Sequence, residues 1–159
     1  MPRKRTSAAQ PVTHSKAQLR AFRKRFRDVP FLQLLKMRVD EIGDGAVTVS
    51  MPIQPQIRQY LGVAHGGALS SLADTAATFA CLTILPLGTE VVTIEFKFNF
   101  LEPVAKRRAV AVARVLRLGG RTAVVEATVT EAGVNKPACV GLFTMAVLRP
   151  KSDSDQESS

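Results

Sequence analysis

The stretch from Gln59 to Cys81 places the strongest constraint on the fold. A turn carrying Gly62, Gly66 and Gly67 feeds a segment in which Leu69, Leu72, Ala73, Ala76, Ala77, Phe79 and Ala80 recur at helical spacing, and the only charge along that segment is Asp74. A helix apolar on nearly all sides belongs inside a protein, so the rest of the chain must wrap it. An ionised carboxylate in such a place is costly unless it is hydrogen-bonded, paired or used.

Strands are the available wrapping. Val39–Ile42 and Ala46–Ile53 alternate apolar with polar residues around a Gly43-Asp44-Gly45 turn, which predicts a hairpin closed by Pro52 and Pro55. Beyond the helix, Pro86 and Gly88 break the chain before four more candidates: Glu90–Leu101, Arg107–Leu116, Ala123–Thr130 and Ala138–Leu148. Their spacing predicts an antiparallel meander. In the first of them, Ile94, Phe96, Phe98 and Phe100 share one face, to be covered by the helix, and Thr93, Glu95, Lys97 and Asn99 share the other. At 159 residues and 46% apolar content, this is one α+β domain with tails.

The net charge of +9 draws attention to nucleic acid and membrane partners, so its location matters. Nine of the 22 Lys and Arg lie within residues 1–27, which hold no acid, and the other 13 balance the 13 Asp and Glu. With one Tyr and no Trp, the neutral remainder lacks the basic and aromatic interleaving of a nucleic-acid surface, and no such partner is expected. Residues 1–15 read as a disordered basic arm and 151–159 as a disordered polar tail, leaving 16–150 as a single domain. Ser15 stands where a helix cap belongs, and Leu19, Phe22, Phe26 and Val29 give an amphipathic helix over 16–29. Three roles fit that helix: docking on the domain with a solvated basic face, which is the expected one, contact with a membrane or acidic partner, or an organelle transit segment. Cys81 and Cys139 lack metal-site spacing and read as buried thiols of a reducing compartment. The cytoplasm is therefore the expected location, with an organellar matrix as the alternative if the basic N-terminus is a transit signal.

The wording HGGALSSLADTAATFA, in which Asp74 follows His65 by nine residues, resembles the hotdog-fold thioesterase superfamily of phenylacetate-degradation (PaaI-like) type. FLQLLKMRVDEIGDGAVTVSMPI before it and TIEFKFNFLEPV after it are also similar to that family, so the resemblance runs from about Phe31 to Leu148. It implies a hotdog fold, an antiparallel sheet of five to six strands around one long central helix, and an acyl-CoA thioesterase. The chemistry has the parts it needs. Thioester hydrolysis requires activation of water or direct attack on the acyl carbon, and a donor for the developing oxyanion. A helix N-terminus offers unpaired amides, and Gly66 and Gly67 let a ligand approach that backbone. The expected roles are the Gly66 amide as oxyanion donor, Gln59 as a second donor, His65 as an orienting group and Asp74 as general base or nucleophile. The resemblance adds Thr93 as an assistant to the water or the carboxylate. It also implies that Asp74 of one subunit faces the glycine turn of another, hence a homodimer, with a tetramer as a further possibility.

Gly67 and Phe100 are expected to bind substrate, and by resemblance the turn of Gly119, Gly120, Arg121 and Thr122 lines the pantetheine and nucleotide. Lys106, Arg107, Arg108 and Arg117 are further candidates for the coenzyme A phosphates. No metal cluster, phosphate-cradling motif or nucleophilic-serine elbow accompanies them, so no metal or cofactor is expected beyond the coenzyme A of the substrate. Relatives with Asp on the helix often carry Asn in place of Gln59, while Gln accompanies Glu; the mixed pair leaves the acyl group, aryl or aliphatic, open. A non-catalytic acyl-CoA-binding hotdog protein and a hotdog hydratase are the rival functions.

Overall fold

The computed structural model describes residues 15–149. The expected arm, Ser15 excepted, and the expected tail lie outside the described residues. Within that span the elements are α1 (Lys16–Arg27), α2 (Pro30–Leu34), β1 (Arg38–Gly43), β2 (Ala46–Pro52), α3 (Gly66–Leu82), β3 (Glu90–Phe100), β4 (Arg108–Leu118), β5 (Thr122–Glu131) and β6 (Pro137–Leu148), with a short 3₁₀ turn at Pro55–Ile57.

The six strands form one antiparallel sheet in the order β1-β2-β4-β5-β6-β3. α3 packs against β2, β3, β4, β5 and β6. Five strands about 4.8 Å apart span roughly twice the width of a helix with its side chains, so the sheet curls around α3 to reach it. This is the hotdog arrangement. Small residues on both surfaces allow the close approach: Ala73, Ala76, Ala77 and Ala80 on the helix and Ala109, Ala111, Ala113 and Ala127 on the sheet are all buried. Leu72, Met51, Phe143 and Met145 fill the space around them.

Two features depart from the sequence pattern. β4, β5 and β6 make the expected meander, but β3 does not lead into it; β3 pairs with β6 and stands at the sheet edge. The connection from β3 to β4 is pinned at the N-terminal end of α3, where the carbonyl of the fully buried Val104 accepts the Ala64 amide at 2.8 Å and that of Arg107 accepts the Ile53 amide at 2.8 Å. β4 therefore enters the sheet beside β2. The second departure is a bulge in β3: Thr93 pairs with Met145 and Glu95 with Thr144, leaving Ile94 as the extra residue. The extra residue reverses the alternation, so Thr93 shares the inner face with Phe96, Phe98 and Phe100 while Ile94 is exposed. The expected grouping of Ile94 with the phenylalanines is thereby corrected. The helix also covers less of that face than expected, because Phe96 and Phe100 remain 42% and 56% exposed.

α1 is closed by the capping box anticipated at Ser15, whose hydroxyl accepts the Gln18 amide while Gln18 accepts the Ser15 amide. It ends at Arg27, ahead of Pro30, and docks Phe22 and Phe26 edge-on against Phe79 of α3, with centroids 5.2 and 4.8 Å away. Arg25 holds the Thr89 carbonyl at 3.1 Å and pairs with Glu90, while Arg20, Arg23, Lys24 and Arg27 face solvent. No helix of the described residues is long and apolar enough to cross a membrane.

Because α3 sits at alanine distance from the sheet, Ala76→Leu is expected to overpack it and lower unfolding free energy by about 1–3 kcal/mol. A denaturant melt checks this, and an unchanged midpoint would show slack that the packing does not have.

Candidate active site

The N-terminus of α3 is built by its own residues. His65 is the cap: Nδ1 accepts the Gly67 amide at 2.9 Å, and its carbonyl accepts the amides of Ala68 (3.0 Å) and Leu69 (3.2 Å). With Nδ1 used as an acceptor, the ring proton sits on Nε2. The Gly66 amide has no acceptor among the described residues, which leaves one donor at the positive end of the helix. Both glycines answer to space. A methyl at Gly67 would stand 3.1 Å from His65 Nδ1, and one at Gly66 would stand 3.1 Å from the Phe100 ring.

A cleft of about 340 Å³ opens beside that amide, lined by Gln59, Gly66, Leu69, Phe100, Pro103 and Val104 among others. Gln59 accepts the Leu61 amide through Oε1 at 3.3 Å, so its NH₂ is the end left to donate. The loop bearing Gln59 is held by Arg58, which the sequence pattern does not single out. Its guanidinium donates to the carbonyls of Gly62, Ala105 (3.0 Å), Ile53 (3.4 Å) and Lys106 (3.4 Å). An arginine that ties backbone carbonyls from three segments has no partner residue type to reveal it in a sequence.

Asp74 lies half-buried on α3, and Thr93 Oγ1 donates to its Oδ1 at 2.5 Å. The β3 bulge makes this contact possible within one chain, correcting the expectation that Thr93 lies on the face opposite the phenylalanines. Burial raises the Asp74 pKa above the ordinary carboxylate value of 3.8, and the Thr93 hydrogen bond offsets part of the rise. No cation pairs with Asp74 among the described residues. The helix is also less uniformly apolar than it reads: Ser70, Ser71, Asp74, Thr75 and Thr78 form a half-buried polar stripe along its open side.

The Gly66 amide and Asp74 do not meet within one chain. Eight residues of helix separate them, about 12 Å along the axis, whereas a reacting carbonyl needs both within hydrogen-bonding or attack distance. The predicted residues therefore fall into two half-sites, Gln59, Gly66 and Phe100 at the helix terminus and Asp74 with Thr93 midway. His65 Nδ1 and the Gly67 amide are engaged with each other in the cap, which holds the ring beside the helix terminus. The turn Gly119–Thr122 lies at the opposite end of the sheet from Gly66, closed by Gly119 N–H to the Thr122 carbonyl at 2.8 Å. Thr122 pairs with Ala146, one position from the Met145 that pairs with Thr93, which puts the turn level with Asp74 about two strand spacings, or 10 Å, away. Arg117 and Arg121 are exposed there, Lys106 and Arg107 belong to the crossover near Gly66, and Arg108 is engaged by Ser50 at 2.8 Å. Cys81 and Cys139 are free and buried, each pKa pushed up to about 11 by burial. Among the described residues no three His, Cys, Asp or Glu side chains gather as a metal site would require.

Residues 61–138 match the model of the thioesterase superfamily. The Pseudomonas aeruginosa thioesterase PA1618 is 32% identical over 116 residues, 72% of this chain and 79% of that protein. Escherichia coli 1,4-dihydroxy-2-naphthoyl-CoA hydrolase is 30% identical over 87 residues, 55% of this chain and 64% of that one. Among solved structures, a thioesterase family protein from Silicibacter pomeroyi superposes with a TM-score of 0.79 at 27% identity, covering 84% of this chain and 99% of that one. The Escherichia coli PaaI protein from the phenylacetic acid degradation operon superposes at 0.76 and 22% identity over 88% and 98% of the two chains, a likeness of fold alone.

Since the Thr93 hydroxyl donates to the ionised form of Asp74, Thr93→Val is expected to raise the carboxyl pKa further. Carboxyl ¹³C NMR titration reads this directly, and an unchanged or lower value would mean that the hydrogen bond does not act on the charged form.

Proposed function

This chain belongs to the thioesterase superfamily, and we propose that it hydrolyses acyl-CoA thioesters to the free acid and coenzyme A, in a dimer whose two sites each join one protomer's helix terminus to the other's Asp74. The observation that carries the reading is the division of the candidate site: a free amide at Gly66 and a half-buried carboxylate at Asp74, about 12 Å apart on one helix. Two copies related by a two-fold axis can bring each half to its complement. The unpaired edge of β3 and the exposed Tyr60, Leu61, Phe96, Phe100 and Leu101 offer apolar surface for that meeting.

In this arrangement the thioester carbonyl oxygen lies against the Gly66 N–H, with the Gln59 NH₂ as a second donor. Asp74 Oδ2, the oxygen Thr93 does not hold, removes a proton from water as the water oxygen attacks the acyl carbon; attack by the same carboxylate oxygen is the alternative, in which the thiolate leaves and the acyl-Asp74 anhydride is then hydrolysed by water. The tetrahedral intermediate collapses with cleavage of the C–S bond, and the departing thiolate takes up the proton from Asp74. Phe100 walls the cleft beside the carbonyl, and Arg121 in the Gly119–Thr122 turn faces the solvent through which the coenzyme A phosphates approach. The chemistry draws on side chains and backbone amides alone. The Escherichia coli hydrolase takes its name from an aryl-CoA, which supports coenzyme A as the leaving group.

Asp74→Asn is expected to cut coenzyme A release, followed by thiol detection over a panel of acyl-CoAs, by about 10²–10⁴-fold. Burial disfavours the ionised Asp74 in the folded state, so this group weakens folding at neutral pH and that penalty is relieved as pH falls through its raised pKa. The amide should therefore leave the melting temperature at pH 7 equal or higher. Turnover near wild type, or a marked drop in melting temperature, would remove Asp74 from its assigned role.

A further inference from the structure

A second cavity, of about 240 Å³, lies at the other end of α3 beneath α1. Its walls are Leu19 and Phe22 of α1, Ile42 of β1, Leu82 of α3, and Leu85 and Leu87 of the connection to β3, with Gln18 and Arg25 at the rim. None of those six apolar side chains is fully buried, and Leu87 is 68% exposed. They surround one cavity with hydrophobic surface still open to solvent, which suits an apolar occupant.

The cavity is aligned with the half-sites. α3 and β3 run antiparallel along one open side, bordered at one end by Gly66 and Phe100, in the middle by Asp74 and Thr93, and at the far end by Leu82 and Thr89, both of which line the cavity. On the helix, Asp74, Thr78 and Leu82 follow at four-residue intervals, so a single half-buried stripe leads from the carboxylate to the cavity wall. The distance from Asp74 to Leu82 is about 12 Å by helix rise, the reach of an extended acyl chain of about ten carbons.

The geometry points to the cavity beneath α1 as the chamber for the far end of the acyl group, making the preferred substrate a medium-chain aliphatic acyl-CoA of about eight to ten carbons. The inference rests on the thioesterase reading for its occupant. α1 then has a definite role, since Phe22 and Phe26 fix it to Phe79 while Leu19 and Phe22 roof the chamber that limits chain length. Short chains do not reach the chamber, and each methylene that enters it is expected to raise kcat/KM by up to about fourfold. Chains much longer than ten carbons emerge at the exposed mouth beside Leu87, where added methylenes stay in water and gain nothing.

The test uses the full chain and two variants that fill the chamber, Leu19→Trp in the roof and Leu87→Trp at the exposed mouth, where folding tolerates the larger side chain. kcat/KM is measured for butyryl-, octanoyl-, decanoyl- and palmitoyl-CoA, and binding of free decanoate by calorimetry. In the wild type the value should peak at octanoyl or decanoyl, and in each folded variant the decanoyl-to-butyryl ratio should fall tenfold or more while decanoate binding is lost. If hydrolysis proceeds but the ratio is unchanged in both variants, or if butyryl- or palmitoyl-CoA is the best substrate, the chamber assignment is overturned and the thioesterase reading stands. If no acyl-CoA is hydrolysed yet decanoate binds the wild type and neither variant, the thioesterase reading fails and the chamber remains an acyl-chain site.

Discussion

The close seating of α3 against the sheet is the constraint on which the rest depends. Alanines on both surfaces allow it, and a sheet curled far enough to touch the helix with five strands is its consequence. A helix so enclosed has one side left, and the polar and small residues of that side, Ser70, Ser71, Asp74, Thr75 and Thr78, stay half-buried. Three features of chemical use lie along it: a free amide where the helix begins, a carboxylate in the middle and an apolar cavity where it ends. The burial that holds the fold together also lifts the Asp74 pKa, so the site is tuned by the same packing that stabilises the domain, and Asp74 itself is kept at a cost to stability.

β3 shows how a single extra residue serves that line. Without the bulge at Ile94, Thr93 and Phe96 would point to opposite faces of the sheet, and the strand could offer either a partner for Asp74 or a wall for the cleft at Gly66. With it, Thr93 meets the carboxylate while Phe96, Phe98 and Phe100 form an aromatic ladder ending at the helix terminus, with Phe98 and Phe100 centroids 5.1 Å apart. Because β3 is also an edge of the sheet, the strand that supports the carboxylate has an unpaired side on which a second copy can dock.

The fold was largely legible in the sequence because its signals are local. The periodicity of α3, the Gly43-Asp44-Gly45 turn, the capping box at Ser15 and the alternation of β5 each follow from neighbouring residues, and the motif around His65 placed them in a family. What was not legible is non-local or adds a residue to a pattern. The crossover that takes β3 out of the meander depends on Val104 being pinned at the α3 terminus, and the bulge leaves no mark in residue types, so simple alternation put Thr93 on the wrong face. That His65 caps the helix did not follow from its residue type, and Arg58 acts on carbonyls that every residue has. Asp74 stood out from the first because a lone acid in an apolar helix violates the pattern around it; Ser70, Ser71, Thr75 and Thr78, each ordinary alone, did not announce that they share its side.

Whether the two halves of the site are completed by a second chain can be asked most directly by subunit complementation. Gly66 is the first residue of α3, a position where proline fits a helix, and His65 already has the extended backbone (φ −66°, ψ 136°) that precedes proline. The Phe100 ring stands 3.1 Å from a Cβ placed at Gly66, so it need yield by only a few tenths of an ångström. Gly66→Pro therefore removes the proposed oxyanion donor with little cost to the fold. Gly66→Pro and Asp74→Asn chains should each be strongly impaired as pure preparations, but a refolded or co-expressed mixture should recover acyl-CoA hydrolysis, because a dimer holding one of each retains one intact pair, Gly66 from the Asp74→Asn chain with Asp74 from the Gly66→Pro chain. A mixture shown by mass spectrometry to contain such dimers, yet no more active than either variant alone, would contradict the shared site.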